Sequence, residues 1–363
     1  MNIGIPKERR PYEFRVGLSP AGVQMLCRQG HICYIEHGAG LGAGFTDQDY
    51  ELAGGRIAYT PHEVFGRADL LLKVSRPIFE EIEWLRPGTA IAGLLHLSSA
   101  RQDKIDALLN NRITAVAYEH IQLENGSLPV MRPLSQIGGR MVGQIAARLL
   151  QNDSGGKGIL MGGMPGVPPA EVVIIGAGIA GRNAARSFLG LGAHVTMMDT
   201  DLNALQRVYE CDHTVSTVFS NSSNLARACA YADVIVGAVL VVGEKAPVVI
   251  TREMVRSMKP RALVMDISID EGGCVETSRP TTHDHPTFVD EGVIHYCVPN
   301  IPSVVARTST YAFVNAASPY ILEMANKGVD AAIRDNPAIA RATNTYNGEL
   351  RNISRISPAH KAS

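Results

Sequence analysis

The sequence predicts an α/β protein with two parallel, doubly wound sheets, the second inserted into the first so that the first domain is discontinuous. Three observations predict it. Short apolar, β-branched runs alternate with helix-like segments over residues 1–132. The same alternation restarts at Glu171, after a Gly- and Pro-rich stretch over residues 154–169, punctuation that marks a boundary or hinge. After Cys297 the pattern turns helical, and residues 308–327 form a long apolar segment suited to packing back on the first block. The expected domains are residues 1–132 with 305–363, and residues 133–304 between them.

At 363 residues the chain is long enough for each domain to bury its own core. Residues 2–5 are the first strand, and Ser19-Pro20 marks a helix start with Ser19 at the N-cap and Pro20 at N1. Residues 68–74, 89–95 and 113–117 are further strands, separated by helix-like segments such as 99–110. Residues 31–37 also read as a strand. The glycine-rich residues 38–44 that follow read as a flexible connection, because no long helix and no acid-terminated strand come after them. Helical spacing covers residues 133–150. The second block offers strands at 172–175, 195–199, 234–237 and 262–266, with helices at 183–190, 221–231 and 251–258.

A net charge of −1 with 19% charged residues provides no basic field for nucleic acid and no acidic tail. The partners expected are small molecules and further copies of this chain. Six scattered cysteines without a CxxC pair indicate buried thiols in a reducing compartment. The N-terminus has no apolar signal core. The longest apolar run, residues 234–243, is too short to cross a bilayer and reads as a buried strand and its turn. No membrane partner and a cytoplasmic location follow as expectations.

The second block opens with the stretch that carries most chemical information. Val172 to Ile175 is a strand buried on both faces, and Gly176-x-Gly178-x-x-Gly181 follows at once. Gly176 permits the tight turn, Gly178 lets backbone approach a pyrophosphate, and Gly181 lets the helix pack on the strand. The pyrophosphate would rest on the helix N-terminus. Asp199 closes the next strand, about 20 residues on, where a carboxylate accepts hydrogen bonds from a ribose. A 2′-phosphate would be repelled there, and no Arg or Lys follows in Thr200-Asp201-Leu202. Strand, turn, helix, strand and acid in register indicate a Rossmann unit that takes NAD rather than NADP.

Other residues carry chemistry less specifically. His96 closes an apolar strand, at the edge where open α/β sheets hold ligands; it is either a general acid/base or a histidine satisfied by backbone. Asp270 follows a strand of the second block and either activates water or an amine or, with Asp266 and Glu271, serves as a turn acid. Arg15 either forks onto a carboxylate or is a surface charge in a loop. Lys73 carries the same ambiguity, its structural alternative being a lysine snorkelling from a strand end. Ser135 either donates to a pyrophosphate or caps a helix, and capping is the expected role. His283-Asp284-His285 suggests a metal, but adjacent residues do not converge tetrahedrally, so no metal site is expected.

Together these residues resemble the alanine dehydrogenase family, a branch shared with the NAD-binding subunit of proton-translocating transhydrogenase. The resemblance is carried by Gly4-Ile5-Pro6-Lys7-Glu8, Glu13-Phe14-Arg15-Val16, Leu94-Leu95-His96-Leu97, Met161-Gly162-Gly163-Met164-Pro165-Gly166-Val167, Gly176-Ala177-Gly178, Gly237-Ala238-Val239-Leu240, Asp270-Glu271-Gly272-Gly273-Cys274 and residues 278–286. It implies reversible oxidative deamination of L-alanine to pyruvate and ammonia with NAD, by a homohexamer. Carried onto this chain, it implies that Arg15 holds the substrate carboxylate, His96 is the acid/base, Asp270 handles water and ammonia, and Asn300 lies at substrate and nicotinamide. Gly176, Gly178, Ile179, Ala180, Asp199, Ser135, Ser220, Val239 and Leu240 are the residues implied for the cofactor.

One departure matters. The family usually reads Leu-Lys-Val-Lys-Glu-Pro, its second lysine helping to hold substrate, whereas this chain reads Leu72-Lys73-Val74-Ser75-Arg76-Pro77. Ser75 removes a cation from the substrate pocket. Arg76, next along the strand, points to the other face. The departure implies weaker handling of pyruvate, a different amino or imino acid as substrate, or an NAD-binding homologue that regulates rather than catalyses. The transhydrogenase reading is weaker, with no membrane segment in the sequence.

Overall fold

The computed structural model describes residues 1–240 and 245–353; the end of the apolar run to residue 243 and the last ten residues assigned to the first domain lie outside them. The chain divides into two compact units, Met1–Leu134 with the described residues from Ser303 onward, and Ser135–Pro302. In chain order the strands are β1 (Asn2–Ile5), β2 (Ile32–Glu36), β3 (Arg56–Ala58), β4 (Leu70–Ser75), β5 (Ala90–Leu94), β6 (Thr114–Ala117), β7 (Glu171–Ile175) and β8 (His194–Asp199). There follow β9 (Ser216–Phe219), β10 (Val234–Gly237), β11 (Leu263–Asp266), β12 (Thr287–Asp290), β13 (Val293–Tyr296), β14 (Thr343–Tyr346) and β15 (Glu349–Leu350).

The first unit holds an eight-stranded sheet in the order β15-β14-β6-β5-β4-β1-β2-β3. Its six N-terminal strands run parallel in the doubly wound order 3-2-1-4-5-6. The alternation of apolar residues fills both faces. Ile3, Ile5, Leu70, Leu72, Ala90 and Ala92 join one core, completed by Phe313, Ala317 and Ile321 of helix Ala306–Lys327. Leu71, Ile91 and Ala115 join the other, with Val64, Phe65, Ile105 and Leu108. At the helix start read from Ser19-Pro20, Ser19 accepts from the Gly22 N–H at 3.3 Å.

The second unit repeats the plan in a seven-stranded sheet, β12-β13-β11-β10-β7-β8-β9. Val172, Ile174, Val234 and Met265 face one core and Val173, Ile175, Ile235 and Val264 the other. Helix Met131–Leu149 lies close against helix Ile179–Gly190, because a Cβ on Gly139 would meet the Ala180 carbonyl at 2.2 Å and one on Gly143 the Ser187 hydroxyl at 2.3 Å.

The expected fold class holds, with three corrections. Neither sheet is purely parallel: β14 pairs antiparallel with β6 and β15, and β12 with β13. These antiparallel strands have two to four residues, too few for periodicity to register. The C-terminal region is therefore not helical throughout. The glycine-rich residues 38–44 are packed rather than free, since a Cβ on Gly40 would strike Tyr50 and Phe45 and one on Gly42 the Phe14 backbone. Arg307 also holds the Gly44 carbonyl at 2.7 Å.

His295 on β13 is fully buried and stacked on Phe288. Its Nδ1 faces the Val293 carbonyl at 3.0 Å, so that nitrogen carries the proton and Nε2 accepts from the Thr277 hydroxyl at 2.7 Å. Burial draws its pKa below the ordinary value, against a rise from the Val293 bond and from Asp290 and Asp266. The unfolded chain therefore binds this proton at higher pH than the folded one. Stability from the neutral ring should be present above about pH 6.5 and decline as pH falls below it. Thermal midpoints at pH 8 and 5.5 should fall less steeply in His295→Gln than in wild type; equal slopes would remove His295 from the account.

Candidate active site

In the second unit, β7 runs into Gly176, whose φ is 105° and whose Cβ would lie 2.2 Å from the Ala238 carbonyl oxygen. Gly181, in the first turn of helix Ile179–Gly190, would place a Cβ 1.9 Å from the Gly176 oxygen. Both positions require glycine because protein is in the way. Gly178 differs: a Cβ there meets nothing within 4 Å. No side chain among the described residues caps that helix, so the N–H groups at Gly178, Ile179 and Ala180 open onto clear space at its positive end. A pyrophosphate fits that arrangement.

Asp199 ends β8 and is already engaged, its Oδ2 accepting from Ala177 N–H at 2.6 Å and its Oδ1 from Asp201 N–H at 2.8 Å. The carboxylate thus clips the turn in place. Arg207, on the helix after β8, pairs with Asp201 at 3.7 Å. Ser220 donates its N–H to the Asp199 carbonyl at 2.9 Å. Val239 N–H donates to the Ser268 hydroxyl at 2.9 Å, and Leu240 is exposed. Ser135 does not cap a helix: helix Met131–Leu149 begins two residues before Pro133, leaving Ser135 inside its second turn. Proline is tolerated there because the first turn needs no donor.

At the end of β11 and just after it, Asp266 and Asp270 separate by environment. Asp266 is buried and accepts from the N–H groups of Ser268, Cys274 and Val275 at 3.1, 2.9 and 3.1 Å. It is the turn acid. Asp270, in the 3-10 turn Ile269–Glu271, is exposed and its Oδ2 accepts the Asn300 N–H at 3.3 Å. Asn300 has a left-handed φ of 54°. Asp270 and Asn300 thus meet at the carboxyl edge of the second sheet.

The first unit gathers charge at the carboxyl ends of β1 and β4. Arg15 is 3% exposed and forks onto Glu13, Nε to Oε1 at 2.7 Å and Nη2 to Oε2 at 2.6 Å. The surface-charge alternative therefore fails. The Ser75 hydroxyl donates to Glu13 Oε2 at 2.9 Å. Lys73 does not snorkel: it is fully buried, with Nζ 2.8 Å from Glu81 and 3.2 Å from Glu8. Burial opposes the Lys73 ammonium, but Glu8 and Glu81 together raise its pKa above the ordinary value. Glu8 shifts upward as well, because burial and the nearby Glu13 and Glu81 outweigh its share of one lysine and the Val74 N–H. Removing one partner from such a buried set costs about 3–5 kcal/mol. Glu8, Glu13 and Glu81 were not singled out by sequence; Glu81 lies on helix Phe79–Glu83, away from any recognisable motif.

His96 follows β5 half-buried, with φ 43° and ψ 45°. A left-handed non-glycine residue costs about 1–3 kcal/mol and persists only where its surroundings impose it. His285 pairs with Asp284 at 3.3 Å, and no group of three or more potential metal ligands converges among the described residues. Burial pushes the thiols of Cys33, Cys229, Cys274 and Cys297 up, away from nucleophilic chemistry. No helix among the described residues is long and apolar enough to cross a membrane.

A family model for the alanine dehydrogenase/PNT N-terminal domain matches residues 4–138, and one for the C-terminal domain matches residues 143–353. The chain is 47% identical to alanine dehydrogenase of Methanococcus maripaludis over 352 residues, 96% of this chain and 94% of that one. It is 45% identical over 353 residues to the alanine dehydrogenase of Geobacillus stearothermophilus, covering 96% of this chain and 94% of the relative. A solved structure of L-alanine dehydrogenase superposes with a TM-score of 0.93 at 40% identity over 96% of each chain. A transhydrogenase from Sinorhizobium meliloti superposes at 0.82 with 25% identity, covering 96% of this chain and 98% of that one.

The three glycines separate by experiment. Gly181→Ala should lower the thermal midpoint, since its methyl meets the Gly176 carbonyl, at a cost of about 1–3 kcal/mol. Gly178→Ala should leave the midpoint near wild type and weaken NAD binding in a fluorescence titration. Undiminished NAD affinity in Gly178→Ala would place the dinucleotide elsewhere.

Proposed function

The chain belongs to the alanine dehydrogenase/PNT family, and from that premise we propose that it is an NAD-dependent oxidoreductase acting on a CH–NH2 group, interconverting L-alanine with pyruvate and ammonia. The observation that carries this reading is likeness to alanine dehydrogenases over nearly the whole length. The open turn at Gly178 and the acid at Asp199 support NAD. We assign substrate handling to residues 1–132 with 305–363 and cofactor binding to residues 133–304. The working form is a cytoplasmic homohexamer.

Bound NAD would supply the hydride acceptor, and this chain's residues would do the rest. In the second unit, the N–H groups of Gly178, Ile179 and Ala180 would hold the pyrophosphate and Asp199 the ribose, with Val239, Leu240, Ser135 and Ser220 as the further residues that would hold the cofactor. In the first unit, Arg15, oriented by Glu13, holds the substrate carboxylate. His96 takes a proton from the amino group as the Cα hydrogen leaves with its electron pair, which leaves an imine. Asp270 takes a proton from the water that adds to the imine carbon, and ammonia departs as the carbonyl forms. The Asn300 N–H orients that carboxylate through Oδ2.

Ser75 favours a second reading. Its hydroxyl meets Glu13, but it contributes no cation to a substrate carboxylate. A charge-assisted contact is worth about 1.5–3 kcal/mol, one to two decades in affinity. The substrate is then a different amino or imino acid, or the protein senses NAD without turnover.

Initial rates at alkaline pH over an amino-acid panel with NAD and NADP separate these readings. L-alanine with NAD should be turned over, NADP should be used far less well, and Ser75→Lys should lower the KM for pyruvate about 10- to 100-fold. A wild type as efficient as Ser75→Lys would show that the missing lysine is immaterial. NAD binding without turnover of any amino acid would establish the sensing reading and overturn the enzymatic one.

A further inference from the structure

The peptide groups on either side of His96 are held by two oppositely charged side chains, Glu119 and Arg76. Glu119 stands in the 3-10 turn Tyr118–His120 after β6 and is 8% exposed. Its Oε2 accepts the Leu95 N–H at 3.1 Å and its Oε1 accepts the His96 N–H. One carboxylate thus spans two consecutive amides as the chain leaves β5. On the other side, Arg76 Nη1 donates to the His96 carbonyl at 3.0 Å and to the Ser99 hydroxyl at 3.0 Å. Ser99 returns its N–H and its hydroxyl to the same carbonyl, at 3.1 and 3.0 Å. Every hydrogen-bonding backbone group of His96 is therefore committed.

This arrangement explains how a β-carbon-bearing residue keeps φ at 43°. In a parallel sheet, the N–H groups of the residue leaving the strand and of the one after it ordinarily find turn or helix carbonyls. Here they are turned toward a buried anion, and the following carbonyl toward a cation. The anion and cation also act on each other: burial, then the charge of Arg10, lower the Arg76 pKa, and Glu119 is the charge that opposes them. Glu36 accepts the Lys7 N–H after β1 and Asp69 accepts the Asn2 N–H ahead of it, but neither spans a left-handed residue. Arg76 itself is half-buried, and its guanidinium donates to the His96 carbonyl and the Ser99 hydroxyl.

We propose that Glu119 and Arg76 are positioning residues for His96: together they impose the left-handed turn that aims the imidazole, and neither touches substrate. The inference rests on His96 being the acid/base of the proposed reaction, but the backbone claim stands independently of it. Misplacement of a reacting group by about 1 Å costs on the order of 100-fold in rate. Removal of one clamp should therefore act on turnover and leave binding alone.

The test uses the full-length protein with Arg76→Met, Arg76→Lys and Glu119→Gln. Crystal structures read φ at residue 96, and kinetics with L-alanine and NAD read kcat and KM separately. Arg76→Met should take His96 out of the left-handed region and lower kcat about 10- to 100-fold, with the KM for alanine, the NAD affinity and the thermal midpoint within about threefold or a few degrees of wild type. Arg76→Lys, which retains a donor to the carbonyl, should recover most of kcat. Glu119→Gln, if it folds, should move φ in the same way, since an amide oxygen serves only part of what two carboxylate oxygens do. An unchanged φ in Arg76→Met with kcat within threefold of wild type would overturn the proposal. So would a loss of kcat matched by equal losses in NAD affinity and thermal midpoint, which marks a general structural role. A wild type inactive toward every amino acid would sink the enzymatic reading, while φ at residue 96 in the variants would still decide the positioning claim.

Discussion

Both units depend on one topological constraint, the reversal of strand order at the centre of a parallel sheet. Beside β1 the chain crosses to β2 on one side and reaches β4 on the other, and the same holds for β7, β8 and β10. Connections leaving neighbouring strands in opposite directions cannot cover the carboxyl ends between them, so a crevice opens there. Arg15 comes from the loop after β1, Lys73 and Ser75 from β4 and His96 from the end of β5. Gly178 follows β7 and Val239 follows β10. The chemistry of each unit collects where the fold leaves backbone ends uncovered.

The two crevices are equipped differently. In the second unit, anionic side chains are satisfied by backbone amides: Asp199 by Ala177 and Asp201, Asp266 by Ser268, Cys274 and Val275. Beyond Ala177, the helix that follows the glycine turn has no side-chain cap among the described residues. In the first unit, charge is balanced by charge, with Arg15 on Glu13 and Lys73 between Glu8 and Glu81, all in a region where apolar residues of the sheet exclude water. Such sets are costly to desolvate and costlier to break.

Local features were legible in the sequence. The Gly176-x-Gly178-x-x-Gly181 turn is announced by its own glycines, although Ala238 and Asp199 also shape it, and Ser19 and Pro20 act through their own first turn. What depended on distant partners was not legible. Lys73 reads as a strand-end lysine until β1 and helix Phe79–Glu83 bring Glu8 and Glu81 to it. Asp266 and Asp270 are four residues apart in one acidic turn, and only the folded loop shows that the first is consumed by amides. The short antiparallel strands β12, β14 and β15 are set by pairing with a neighbour, which a short segment does not announce. Residues 38–44 carry a glycine pattern close to that of the true turn, yet Tyr50, Phe45 and Phe14 fill the space a nucleotide would need.

In the proposed reaction the protein removes the Cα hydrogen of alanine as a hydride and delivers it to a dinucleotide. It is tested most directly by incubating the protein with L-alanine deuterated at Cα and NAD, then weighing the reduced cofactor by mass spectrometry. NADH carrying one deuterium should form, and more slowly than from unlabelled alanine. Reduced cofactor without the label, or none at all under conditions where NAD is bound, would contradict it.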